Sequence, residues 1–432
     1  MPVQFLHLAD VHLGYQQYGS AERFNDFGRA FARAVDYALN VPVDFVIITG
    51  DLFHKAHIDP RTLLQAVHNL DRLRRADVPV VAVYGNHDQP RYQQGISWLE
   101  YLTERGHLVL LSPSFSSDQL ELEPWDGFAG AFVDLGATRI VGIPYLGASQ
   151  HAVIAELPKA LSKLEKAPFT ILMSHAGVEG EMPGLAGGLR HAELSPLRPF
   201  VDYIALGHLH KPFEREDWIY NPGALEVCGM DERRWRGGFY HVTIDDVAGE
   251  KARHSAKHIA GDRRPFHRLT FRVDEYTAPL ALYDALRAAV QDAGLLTRSK
   301  QAPVVELSLE GVLAFDRSEL DVDHIRVIVV DVLSPLVARV RNHTRATEFD
   351  ISPEEGLNRA ELERTVLHEL TLRDARYRDH ADAWAQTMVE IKSLALAGST
   401  PEAIVDAVRH RMDEMAELVG NGQEDSGADH KA

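Results

Sequence analysis

Five short apolar runs in the first half of the chain each break off into a loop built from Asp, His, Asn and Gly. Val3–Leu8 runs into Asp10-Val11-His12, Phe45–Thr49 into Gly50-Asp51-Leu52-Phe53-His54, and Val80–Tyr84 into Gly85-Asn86-His87-Asp88. Thr170–Met173 runs into Ser174-His175, and Tyr203–Leu206 into Gly207-His208-Leu209-His210. Short runs dominated by Val, Ile and Leu read as buried strands. Helical patterns separate the early ones. Glu22–Asn40 sets Phe24, Phe27, Phe31, Val35 and Ala38 on one stripe, and Arg61–Arg75 repeats the spacing with Leu64, Val67, His68 and Leu70–Leu73. Alternation of strand and helix predicts an α/β core with parallel early strands. Ligands of such sheets gather at the carboxyl ends of the strands, so the five loops are expected to converge.

Composition narrows the class. With 63 acidic and 45 basic residues the formal net charge is -18, which by itself disfavours a nucleic-acid partner. Bound divalent cations would offset it locally. Basic residues do gather at Arg233, Arg234, Arg236, Lys251, Arg253, Lys257, Arg263, Arg264 and Arg268, a pattern most simply read as a solvated face. The one cysteine, Cys228, excludes an internal disulfide framework and fits a reducing cytoplasm. No apolar run is long enough for a membrane helix.

The pattern changes near Asp262–Pro265. His267–Val273, Val304–Leu309 and Ile325–Val332 read as strands, with a helix at Pro279–Ala293. The expected plan is a catalytic domain over 1–262, a small α+β capping domain over 263–345, a linker with helices over 346–420, and a disordered tail over 421–432. Pro353 and Gly356 mark the linker, and Asn358 with Glu361 suggests a capping box. Trp384, Met388 and Ile391 share one helical face; Ile404, Val408, Met412 and Met415 share another.

The loops supply seven carboxylate, amide and imidazole groups: Asp10, His12, Asp51, Asn86, His175, His208 and His210. Such donors suit Mn²⁺, Fe²⁺ or Zn²⁺. A lone His after a strand is usually a hydrogen-bonded loop residue. Seven such groups, each at a strand end in a polar loop, point to a two-metal site with a bridging carboxylate.

Asp10-x-His12, Gly50-Asp51-x-x-His54, Gly85-Asn86-His87-Asp88 and Gly207-His208-x-His210, with His175 between, resemble the signature of the calcineurin-like metallophosphoesterases. The resemblance implies a two-sheet αββα sandwich. It implies one metal on Asp10, His12, Asp51 and His210, and the other on Asp51, Asn86, His175 and His208. Leu6-His7-Leu8-Ala9-Asp10-Val11-His12-Leu13-Gly14 and Asp51-Leu52-Phe53-His54 are further similar to the SbcD-type DNA-repair nucleases. That likeness implies a Mn²⁺-dependent DNA exonuclease and endonuclease, a homodimer, and C-terminal helices that bind an SbcC-type coiled-coil ATPase. Tyr220-Asn221-Pro222-Gly223-Ala224-Leu225-Glu226 departs from the Gly-Ser turn those nucleases tend to carry.

His87, beside the ligand Asn86, is the candidate general acid for the leaving sugar oxygen, with Asp88 expected to orient its ring. His54 is a candidate phosphate-positioning group, and Arg263, Arg264 and Arg268 are candidate DNA contacts. The competing enzyme reading is a phosphodiesterase or phosphatase of the same fold acting on small-molecule or cyclic-nucleotide substrates. An inactive scaffold for the ATPase would lack ligands, and none of the seven is missing.

Overall fold

The computed structural model describes residues 2–89, 95–116, 119–181, 187–245, 253–296, 301–346, 359–373, 377, 380–397 and 399–421. Lys251, Pro353, Gly356, Asn358 and the tail beyond Asn421 lie outside them. The first sheet orders Val3–Leu8 (β1), Phe45–Thr49 (β2), Val80–Val83 (β3) and Val109–Leu110 side by side in parallel, with Gly238–Ile244 and His254–Ala260 added antiparallel beyond β1. The second sheet centres on Thr138–Ile143, Phe169–His175 and Tyr203–Gly207, again parallel.

Strand periodicity decides how the layers meet. Along β1, β2 and β3, Leu6, Leu8, Val46, Ile48, Val80 and Ala82 face outward into one apolar cluster. Their alternates Phe5, Phe45, Ile47, Val81 and Val83 face inward and pack on Ile171, Met173, Tyr203 and Ala205 of the second sheet. The helices Ala21–Asn40 and Pro60–Arg75 cover the first sheet, burying Phe31, Val35, Ala66, Leu70 and Leu73. Leu64, placed on the inner stripe from the sequence, is 68% exposed. Gln150–Leu161 covers the second sheet with Val153, Ile154 and Leu157. The result is the expected αββα sandwich. Both early helices start on side-chain caps: Ser20 accepts from the Arg23 N–H, and Asp59 accepts from the Thr62 N–H ahead of Pro60 at the first turn.

The small domain has a sheet of Phe266–Arg272, Val304–Leu313 and Val337–Ala346, backed by the helices Pro279–Leu296 and Val322–Leu333. The segment Ile325–Val332, expected as a strand, is therefore helical. Asp321 caps it by accepting from the His324 N–H, and Ile325, Ile328 and Val329 fall on one buried face at helical spacing. The third strand is Val337–Ala346, which the sequence reading passed over. Its alternation sets Ala338 and Val340 inside against Arg339 and Arg341 outside, too polar a pattern to stand out.

Buried charge ties this domain to the first helix. Arg264, 6% exposed, donates to Asp26 at 2.6 and 2.9 Å and to the Ala302 carbonyl. Arg23, fully buried, bonds the same Asp26 at 2.5 Å, together with Glu226 and the Val227 carbonyl. Losing one partner from such a network costs about 3–5 kcal/mol, because the charges left behind stay out of water.

The chain divides into two compact units, Met1–Arg345 and Ala346–Ala432, so the parts expected to separate at 262/263 fall within one unit. The second holds the helices Arg359–Arg373, Ala381–Leu396 and Pro401–Asn421. Ala381 and Ala385 are buried within it, Tyr377 packs edge-on against Trp384, and Arg411 pairs with Glu390 at 3.3 Å. Leu370, Leu396, Val405 and Met412 remain exposed. Among the described residues no helix is long and apolar enough to cross a membrane.

Candidate metal centre

All seven donors meet at the carboxyl ends of the strands. The backbone is forced to bring them there. Asp10, His12, Asp51 and His208 all take positive φ, at 50°, 52°, 54° and 86°. Non-glycine residues adopt that region at a cost, and such strain clusters at functional sites. Gly50, at φ +86°, could not be replaced cheaply, since a Cβ there would collide with the His175 ring.

Asp51 is the hub. Its Oδ2 lies 3.4 Å from His175 Nε2 and 3.9 Å from His12 Nε2. On one side His12 Nε2 and His210 Nε2 face each other at 3.1 Å, with Asp10 Oδ1 3.7 Å from His210. On the other, Asn86 Oδ1 lies 3.1 Å from His175 Nε2 and 2.9 Å from His208 Nδ1.

The tautomers follow from the partners. His175 Nδ1 donates to the Thr49 carbonyl at 2.7 Å, and His210 Nδ1 donates to the Glu232 carboxylate at 2.8 Å. In the neutral ring both Nε2 atoms are thereby left as lone-pair nitrogens able to bind a cation. Bare nitrogens and carboxylate oxygens pointing at one another need a cation between them, and ligand atoms about 2.1 Å from a common ion sit about 3 Å apart. The residues present fit two divalent ions, and calcineurin-like phosphoesterases use such a dimetal site.

The protonation pattern agrees. Burial drives Asp10 up to about 6. Burial opposes charge on Asp51 as well, but His175 and His12 hold it below the usual carboxylate range. His175 goes up to about 9, because Asp51 beside it outweighs the cost of burying its charge, while burial takes His54 and His208 down to about 4. The extra proton on His175 is one that a cation would displace on binding, while His54 and His208 are already neutral rings.

His87 lies beside the ligands without joining them. Its N–H donates to Asp51 Oδ1 at 2.9 Å, and its Nδ1 donates to the His54 carbonyl at 2.7 Å, so Nε2 carries a proton to give only in the imidazolium form of the ring. The His54 ring stacks on His87 and on Tyr15, at centroid distances of 5.2 and 3.7 Å. Asp88 does not orient His87 as the sequence suggested. Its carboxylate turns inward and accepts the N–H groups of Leu52, Phe53 and Gly85, clamping the Asp51 loop to the Asn86 loop.

Nor do the three arginines present free guanidinium groups. Arg264 is spent on Asp26, Arg263 donates to the Trp235 carbonyl, and Arg268 bonds Glu306 at 2.8 Å and Asp231 at 3.0 Å. Those partners come from segments distant in sequence, which a reading along the chain could not pair.

Three contributors escaped the sequence reading. Glu232 holds His210. The Asn221 amide donates to the carbonyls of Leu209 and Lys211, bracing the His208–His210 loop from the divergent segment. The Cys228 sulfur and the ligand nitrogens of His12 and His210 lie within 4.8 Å of one another, and burial pushes its thiol up to about 11. An Asn-Pro-Gly turn and a lone cysteine carry no spacing that would have flagged them.

Residues 3–212 match the family described as calcineurin-like phosphoesterase. The DNA double-strand break repair protein Mre11 of Archaeoglobus fulgidus is 32% identical over 235 residues, which are 53% of this chain and 52% of that protein. The chain thus spans about half the length of that relative. The Sulfolobus acidocaldarius protein of the same description is 25% identical over 329 residues, 74% of this chain and 78% of its own. A solved structure of the calcineurin-like phosphoesterase YfkN from Bacillus subtilis is 14% identical, with a TM-score of 0.35, over 60% of this chain and 90% of that one. The motif order, the converging donors and the match over residues 3–212 together identify a calcineurin-like phosphoesterase domain in the first half of this chain.

Proposed function

We propose that the chain is a DNA nuclease that hydrolyses phosphodiesters at a two-Mn²⁺ centre, working as a homodimer with an SbcC-type coiled-coil ATPase in double-strand-break repair. The observation that carries the reading is the single site in which six donors surround Asp51, with two further imidazoles, His54 and His87, alongside. Relatives described as double-strand break repair proteins support DNA as substrate, and the alignment with the Sulfolobus protein takes in 329 residues, more than the catalytic domain alone.

Asp10, His12, Asp51 and His210 would hold one ion, and Asp51, Asn86, His175 and His208 the other. Bound there, the ions supply an acidified water and balance charge on the phosphoryl oxygens. Water attacks phosphorus in line, the bond to the sugar oxygen breaks, and that oxygen takes the Nε2 proton of the His87 imidazolium, leaving a neutral imidazole with its Nδ1 proton still donated to the His54 carbonyl. His54 borders the same face and fixes His87 through its carbonyl. The exposed apolar residues Leu370, Leu396, Val405 and Met412 offer anchors for a partner's coiled coil.

Substrate choice tests the reading. With Mn²⁺ present, linear DNA is expected to be cleaved with a higher kcat/KM than a chromogenic phosphodiester or a cyclic nucleotide. The reverse order would assign the site to small-molecule substrates.

A further inference from the structure

We propose that Glu232 is the positioning residue that makes His210 a metal ligand. The inference rests on the two-metal reading of the site. Glu232 lies in the short turn Met230–Arg234, outside both sheets. One carboxylate oxygen accepts the His210 Nδ1 proton at 2.8 Å, and the other accepts the Cys228 N–H at 2.8 Å. With both oxygens bound, the carboxylate cannot swing away. His210 in turn cannot rotate or change tautomer without breaking that bond, so its Nε2 stays bare and aimed at His12 Nε2, 3.1 Å away. A carboxylate behind a ligating imidazole also raises the basicity of the ring.

The comparison with His175 shows why a side chain is needed. His175 takes the same support from the Thr49 carbonyl, which the strand β2 holds in place. His210 sits beyond its strand and finds no such carbonyl. Its support instead depends on a turn secured by the small domain. Asp231 of that turn pairs with Arg268, and Met230 packs with Val227, Phe266 and Val304. The small domain thereby braces one metal ligand from behind.

The two sides of the centre should therefore respond differently. The experiment is a calorimetric Mn²⁺ titration of the metal-stripped full chain, with the absorption of the Co²⁺-loaded protein as a second readout. The unaltered protein should bind two ions. Glu232→Ala should weaken one site roughly 10–100-fold, the usual effect of losing such a support, leave the other unchanged, and alter the Co²⁺ spectrum. Glu232→Gln retains an acceptor for the His210 proton and should fall between the two. It also carries the test if thermal unfolding shows the alanine variant to be misfolded. Unchanged affinity at both sites in either folded variant, or equal weakening of both, overturns the role of Glu232. Failure of the unaltered chain to take up two ions would overturn the two-metal reading along with it.

Discussion

Replacing Asp51 with alanine is expected to abolish phosphodiester hydrolysis and to empty the metal centre. Asp51 lies between the two halves of the site, with its Oδ2 3.4 Å from His175 and 3.9 Å from His12. Without it the central carboxylate charge is lost, and two cations held close together would repel each other with less to offset them. Charge stabilisation by the ions contributes several kcal/mol to the transition state, so the loss in kcat should be on the order of 10³ or more. Asp51→Asn separates charge from shape, since it keeps the side-chain volume on a backbone already at positive φ. Both variants should lose rate and bound metal together, as read by steady-state kinetics and by metal analysis after gel filtration. Two tightly held ions in either variant would contradict the bridging role.

The second large effect separates chemistry from metal binding. His87→Ala is expected to lower kcat on DNA by roughly 10²–10⁴, the range for a general acid, with both ions retained. Its imidazole touches no ligand side chain through a hydrogen bond. Its ring bond goes to the His54 carbonyl, and only its backbone N–H serves Asp51, which alanine preserves. A nitrophenolate leaves as a stable anion and needs little help from an acid. Hydrolysis of a nitrophenyl phosphodiester should therefore be spared relative to DNA. Equal losses on both substrates would remove His87 from that role.

How much of this was legible in the chain depends on the range of the forces involved. β1, β2 and β3 and the loops that follow them could be read because strands buried on both faces are short unbroken apolar runs, a signal carried by neighbouring residues. Sheet topology then brings the loops together without further information. The misreadings have a common cause. Asp88 follows His87 directly, and the natural guess joined their side chains, but the Asp88 carboxylate satisfies three backbone N–H groups instead. Arg264 looked free in a basic stretch, yet its partner Asp26 lies 238 residues away. Ile325–Val332 is apolar enough for strand or helix, and the deciding signal was the cap at Asp321 just before it. Glu232 was invisible because it acts on His210 from an irregular turn with no periodicity to mark it.

The most direct test of the account is a Mn²⁺ titration of the metal-stripped protein, following digestion of linear DNA as ions are added. The account predicts no cleavage with chelator present, and activity that rises to its plateau as the second equivalent binds. Cleavage that persists in chelator, or that saturates with a single ion, would contradict it.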